Sequence, residues 1–378
     1  MTMRRILVLA AIFWLFMLPA SAQGTDELYS ASDFGADEFL DSIGESLPEE
    51  VQELLPADLF DPAAASETGL GFFAKAGLRL LNAALGPALR SFSTLMGLIV
   101  AASAIGALKG ALKSEQLTAV FDFASGLCLM LAMYGTVVGL FELTESYLSA
   151  LSGVMDSLLP VLTAVAAAGG NLSSAAVSSG GLLIGLDLIE KLASRGLMPV
   201  LQLCFGIAMA SGMNGGLELS GVSKLIRGCF SWGLGLGAAA ISAVMSFQTT
   251  IAAKADSLSM RAVRFAASSA VPVAGGIAAD AVRTVAGSLS LVRSTVGWAG
   301  VVIIALMTLP PLLRVLLTRL GVVCAETAAG ILGLNRERSI LSEISGLLGM
   351  LTAVCVISAL MLVYALAVFS NGAVALAA

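Results

Sequence analysis

Seven uncharged stretches punctuate this chain: Ser91–Leu108, Phe123–Phe141, Ser157–Leu186, Gly196–Leu217, Gly228–Ala253, Ser294–Leu313 and Ile344–Ala378. Each has 18 to 35 residues, and about 20 apolar residues cross a bilayer as a helix. Water-soluble folds have no use for so many. Charged residues make up only 12% of the chain, about half the share in soluble domains. These observations predict an all-α polytopic membrane protein with about six to eight transmembrane helices. Six runs read as simple spans. The seventh, Ser157–Leu186, is interrupted by Gly169-Gly170-Asn171, Ser173-Ser174 and Ser178-Ser179-Gly180-Gly181. It reads as a helical hairpin or a re-entrant element, because broken backbone at membrane depth must be covered by protein or water.

The N-terminus carries a secretory pattern. Arg4 and Arg5 precede a 13-residue apolar core, Ile6–Leu18, which is too short to span comfortably. Pro19 and Ala20-Ser21-Ala22 follow as a small-x-small cleavage site, with Gln23 the first mature residue. Residues 1–22 are therefore expected to be a signal peptide, 23–85 an acidic extracytoplasmic segment and 86–378 a polytopic helical domain.

Charge is distributed unevenly. Residues 23–70 hold 13 Asp and Glu and no Lys or Arg, whereas 71–378 hold 18 basic and 13 acidic residues. Nothing resembles a basic nucleic-acid surface. Within the acidic segment, residues 47–55 are expected to form a short amphipathic helix with Pro48 near its start. The segment reads either as a solvated linker or as a docking element for an extracytoplasmic partner.

An internal duplication is suggested by two proline matches. Pro160 and Pro272 are 112 positions apart, as are Pro199 and Pro311. Ser114-Glu115, Ser223-Lys224 and Ser342-Glu343 each stand just before a long uncharged run. The repeated unit reads as span, broken region, span. With the mature N-terminus outside, Lys109, Lys113, Lys224, Arg227, Arg314, Arg319, Arg336 and Arg338 fall on the cytoplasmic side, in accord with the positive-inside rule.

Histidine is absent, which removes Ser-His-Asp and Cys-His catalysis and histidine metal sites. No Gly-rich loop is followed by Lys and Ser or Thr, so there is no Walker nucleotide site. The five cysteines lie in or near apolar runs without CxxC spacing and read as packing residues. Neither an enzyme nor a cofactor site is expected. Membrane charges are the default functional candidates. Asp122 opens the second span, and Asp187, Glu190 and Lys191 share one stretch. Asp280 and Arg283 are three apart, and Glu326 follows the fifth simple span. Helix breaks form a second class of candidate. Pro310-Pro311 is expected to break or kink its span, and Val271-Pro272-Val273-Ala274-Gly275-Gly276 marks another break. Gly106/Gly110, Gly181/Gly185 and Gly233/Gly237 have the spacing that lets helices approach closely.

Several stretches resemble one family in combination. They are Leu47-Pro48-Glu49-Glu50, Leu54-Leu55-Pro56, Ser157-Leu158-Leu159-Pro160-Val161-Leu162, Arg261-Ala262-Val263-Arg264-Phe265-Ala266, Val271–Gly276 with Ala279-Asp280-Ala281, and Leu309-Pro310-Pro311-Leu312-Leu313. In this order, behind a signal peptide, they resemble the stage III sporulation protein AE family of endospore-forming Gram-positive bacteria. The resemblance implies a membrane subunit of a channel-like complex between mother cell and forespore, needed for late forespore gene expression. It implies the other stage III sporulation proteins, AA to AH, and stage II sporulation protein Q as partners, and the mother-cell membrane around the forespore as the location. An ATPase of the AA type would then supply energy. No catalytic residue is carried over. From the residues alone, a secondary transporter with duplicated broken-helix units stays open as the alternative.

Overall fold

The computed structural model describes residues 31–44, 47, 49–56, 59–60, 70–112, 115–168, 191–213, 221, 225–237, 239, 243 and 275–371. Among them every regular element is helical. A 3-10 turn, Ala31–Phe34, leads into α1 (Ala36–Gly44) and the four-residue α2 (Glu49–Gln52). Four long helices follow: α3 (Leu70–Leu112), α4 (Glu115–Ala168), α7 (Gly275–Ile331) and α8 (Asn335–Asn371). Between α4 and α7 lie α5 (Met198–Met213), entered through a π-helical turn at Lys191–Leu197, and α6 at 225–237. Among the described residues, five helices are long and apolar enough to cross a membrane.

The α7–α8 hairpin is the centre of the bundle. Its turn is closed by Gly333 at φ +74°, a backbone conformation that costs a side chain but not glycine. Leu334 N–H donates to Ala329 O at 2.9 Å and Gly333 N–H to Gly330 O at 3.3 Å. This paired bonding satisfies the carbonyls left open at the end of α7. α3 and α4 pack on α7 from outside, and α5 packs on α8 and α4.

Side-chain contacts set the register. Leu158 of α4 lies where a Cβ on Gly300 would fall, and Tyr147 meets Thr308. Falling numbers on α4 thus follow rising numbers on α7, so the two are antiparallel. Ser91 of α3 meets Thr136 of α4 at 3.5 Å, and Phe92 packs on Gly321. Residues 91 and 136 each lie 21 positions from the α3–α4 junction, so α3 is antiparallel to α4 and parallel to α7. A consequence follows for the uncharged runs. Ser91–Leu108 of α3 lies beside the C-terminal part of α7, not beside Ser294–Leu313.

The helices outlast the uncharged runs that announce them. α4 has 54 residues and α7 has 57, about 80 and 85 Å at 1.5 Å per residue. A hydrocarbon core is only about 30 Å thick. The first part of Ser157–Leu186 is not a separate element: residues up to Ala168 continue α4, with Pro160 inside the helix. The rest of that run lies outside the described residues.

The break expected at Pro310-Pro311 does not occur. α7 continues through both prolines as one helix. Each proline forfeits one ladder hydrogen bond, and both are buried within the bundle. Pro199, the suggested counterpart of Pro311, instead stands just behind the π-helical turn. There the wider ring accommodates a residue without an N–H. The two copies of the suggested repeat differ at this point. Close helix approach also occurs at other glycines than the spacing indicated. A Cβ on Gly106 or Gly233 would meet nothing within 4 Å, whereas one on Gly300 would fall 2.7 Å from Leu158 Cδ2.

The acidic segment is anchored on the bundle. Ala36, Phe39, Ile43, Leu47, Val51 and Leu59 are buried in the same core as α4, α7 and α8. α1 packs on α4, and the 3-10 turn touches α4 and α7. The helix expected over 47–55 is the single turn of α2, followed by turns in which Leu54 N–H donates to Val51 O and Leu55 N–H to Gln52 O. Gln52 Nε2 donates to Leu47 O at 2.8 Å and closes the loop before it.

Candidate functional site

The core of three helices is not wholly apolar. Tyr147 and Thr144 from α4, Thr308 from α7 and Cys355 from α8 meet where the three pack. Tyr147 OH is 3.0 Å from Thr308 Oγ1 and donates towards Cys355 O at 3.3 Å. Thr308 donates to Ile304 O at 2.6 Å and Thr144 to Leu140 O at 2.8 Å. Cys355 Sγ reaches Thr144 Oγ1 at 4.0 Å. All four residues are buried. A buried tyrosine needs a partner for its hydroxyl, and this pairing ties α4 to the central hairpin. Thr308 keeps its own i−4 partner, so Tyr147→Phe is expected to leave no orphaned group. The expected loss is about 1 kcal/mol, read as a small drop in melting temperature in detergent. A drop of several times that size would mean that the hydroxyl also serves an acceptor elsewhere.

A second cluster lies nearer the hairpin turn, where guanidinium groups press on glycines of α8. Arg227 of α6 pairs with the Glu343 carboxylate and donates to Glu343 O at 3.3 Å. Its Nη1 occupies the space a Cβ on Gly346 would need. One helical turn on, the Arg319 guanidinium of α7 lies about where a Cβ on Gly349 would contact it, at 3.1 Å. Ser125 of α4 donates to Glu337 in the first turn of α8. A carboxylate there also benefits from the positive end of the helix dipole. The glycines make this possible: any side chain at position 346 would push Arg227 off the helix.

The sequence-expected candidates are placed as follows. Pro310 and Pro311 stand two and three residues beyond Thr308, beside the hydroxyl cluster. Asp280 and Arg283 lie three apart in the opening turns of α7, the spacing needed for pairing; their side chains are outside the described set, as are Asp187 and Pro272. The residues that sequence reading passed over are Tyr147, Thr308 and the pair Arg227–Glu343. The pair did leave a signal. Arg227 is the last charge before one uncharged run and Glu343 the last before another. The hydroxyls left none, since single Tyr and Thr residues in apolar runs are common. Among the described residues, no group of three or more Cys, Asp and Glu could hold a metal ion. The cluster joins neutral hydroxyls, a thiol and a carbonyl, a set suited to fixing helices rather than to moving a proton.

The family profile described as stage III sporulation protein AE matches residues 68–372. That interval starts two residues before α3 and ends one residue after α8. This chain belongs to the stage III sporulation protein AE family. A stage III sporulation protein AE of Bacillus subtilis (strain 168) is 27% identical over 188 residues, which cover 50% of this chain and 47% of that protein. The alignment thus spans about half the length of that relative. No solved structure matches the chain. Family membership embraces both polar clusters and all four long helices; the acidic segment that docks on them lies before the matched interval.

Proposed function

We propose that this protein is a membrane subunit of the channel-like complex that links mother cell and forespore and sustains late forespore gene expression. The observation that carries the reading is the family match over the whole helical body, residues 68–372. The multi-pass helices place the protein in a membrane, which in this reading is the mother-cell membrane around the forespore. The mature N-terminus and its acidic segment face the space between the two membranes. Stage III sporulation proteins AA to AH and stage II sporulation protein Q are the partners, and energy comes from a separate ATPase. Charged residues docked on the bundle through α1 would offer those partners a fixed surface.

The test is a clean deletion in the native host, followed through sporulation with a late forespore reporter. Engulfment should complete and reporter expression should fail. Normal sporulation would overturn the reading. A transporter is the second reading, suggested by the charges Asp187, Asp280 and Arg283 and by the break expected at Pro272. Single neutralisation of these charges should then abolish function with protein levels unchanged. In the channel-subunit reading all three substitutions are tolerated.

A further inference from the structure

Charges stand on the outside of the bundle at a depth where its centre holds only apolar side chains and uncharged hydroxyls. Thirteen residues before Phe92 on α3 is Arg79; thirteen before Gly321 on the parallel α7 is Thr308. Thr308 lies within the uncharged run Ser294–Leu313, and Cys355 opposite it lies within the uncharged run of α8. This level therefore belongs in the hydrocarbon of the membrane, which places the spanning part of α3 nearer its N-terminus than the boundary expected at residue 86 and leaves residues 23–70 as the outer segment. Yet Lys75 and Arg79 on α3 are exposed there, and so are Glu142 and Glu145 on α4, two to five residues from Tyr147. Lys75 and Arg79 have no ion-pair partner among the described residues. Charged side chains at such depth do not face lipid; they meet an opposite charge or water.

The two sets lie on different flanks. α3 packs on α7 and α4, whereas α5 packs on α8 and α4. Glu145 points to the α5 flank, where it accepts a hydrogen bond from Gln202 at 3.2 Å. At this height the α3 flank carries Lys75 and Arg79 and the α5 flank carries Glu142 and Glu145, with the basic Lys191 and Arg195 about two to three turns further along at the entry to α5. Each also carries exposed glycines with nothing within 4 Å of an added Cβ: Gly86 on α3, Gly135 and Gly139 on α4. Small residues of this spacing let a neighbouring helix approach closely.

We infer that copies of this protein assemble side by side in the membrane, the Lys75/Arg79 flank of one against the Glu142/Glu145 flank of the next. The contact uses different surfaces on the two partners, so it repeats in one sense and closes into a ring or extends as a row. Equal height of the charges keeps successive copies level in one bilayer. The inference does not depend on the role proposed above.

The experiment uses the full chain with its five cysteines replaced by Ala. Two differently tagged forms, one Arg79→Cys and one Glu145→Cys, are expressed together in native membranes and oxidised. A cross-linked pair carrying both tags is expected from the mixture, and none from either form alone. In parallel, Arg79→Glu and Glu145→Arg should each reduce co-isolation of two tagged copies at least tenfold. Co-expression of the two reversed forms should restore it, which also shows that each form folds. The inference is overturned by cross-links to a different protein only, or by co-isolation that charge reversal leaves unchanged. It is equally overturned if Glu142→Cys reacts with a membrane-impermeant thiol reagent as fast as a loop cysteine, since those charges would then face a water-filled path.

Discussion

Gly300→Leu is expected to prevent accumulation of the folded protein. Gly300 lies on α7 where α4 and α8 both close on it. A Cβ there would fall 2.7 Å from Leu158 Cδ2 and 2.9 Å from Leu366 Cδ1. Leu158 and Leu366 are themselves fully buried, at 0% and 1% exposure, so neither has free space to retreat into. Adding volume to a filled core costs about 1–3 kcal/mol for small increments and more for large ones. Gly300→Ala should therefore lower the melting temperature in detergent by an amount equivalent to about 2 kcal/mol, and Gly300→Leu should leave little protein in the membrane fraction. Gly206→Ala on α5 is the matched control. A Cβ there would meet nothing within 4 Å, and alanine favours a helix over glycine by about 1 kcal/mol. That variant should be neutral or slightly more stable. Equal effects at positions 300 and 206 would mean that the three-helix junction is not packed as described.

The second large effect is expected at Glu343. Its side chain and that of Arg227 are 21% and 28% exposed, and Arg227 Nε is buried with no hydrogen-bond partner among the described residues. Removing the carboxylate leaves a guanidinium pressed against Gly346 with, among the described residues, the main-chain carbonyl of residue 343 as its remaining hydrogen-bond partner. Breaking a fully buried pair costs about 3–5 kcal/mol; residual exposure lowers this to about 2–3 kcal/mol for Glu343→Ala. The double change Arg227→Met with Glu343→Met removes both desolvated charges and should lie within about 1 kcal/mol of the parent. Thermal melts of the two singles and the double in one detergent check this. If the double loses the sum of the two singles, the ion pair contributes nothing and the cost is packing alone.

Both predictions concern contacts between residues far apart in the chain, and this marks where sequence reading stops. The uncharged runs announced membrane helices at every place where the described structure has one. Gly333 is different: its left-handed φ follows from a turn that few other residues could close. The double proline shows the limit of a local view. Viewed locally, Pro310-Pro311 removes two hydrogen bonds and is expected to break or kink a helix, yet α7 runs on through both as one helix. Tyr147 and Thr308 are separated by 161 positions, and nothing in the local pattern of either announces the other.

Class and membrane residence were determined by the sequence alone. The cost of desolvating a charge belongs to each residue, so long uncharged runs can be read without knowing what they pack against. Register was decided only by the tertiary structure. Phe92 on Gly321 and Leu158 on Gly300 shift the uncharged run of α3 along the bundle relative to that of α7. That shift brings Arg79 and Glu145 to the depth of Thr308. Shape complementarity between glycine notches and bulky side chains sets such offsets, and it is a property of surfaces that exist only after the helices have come together.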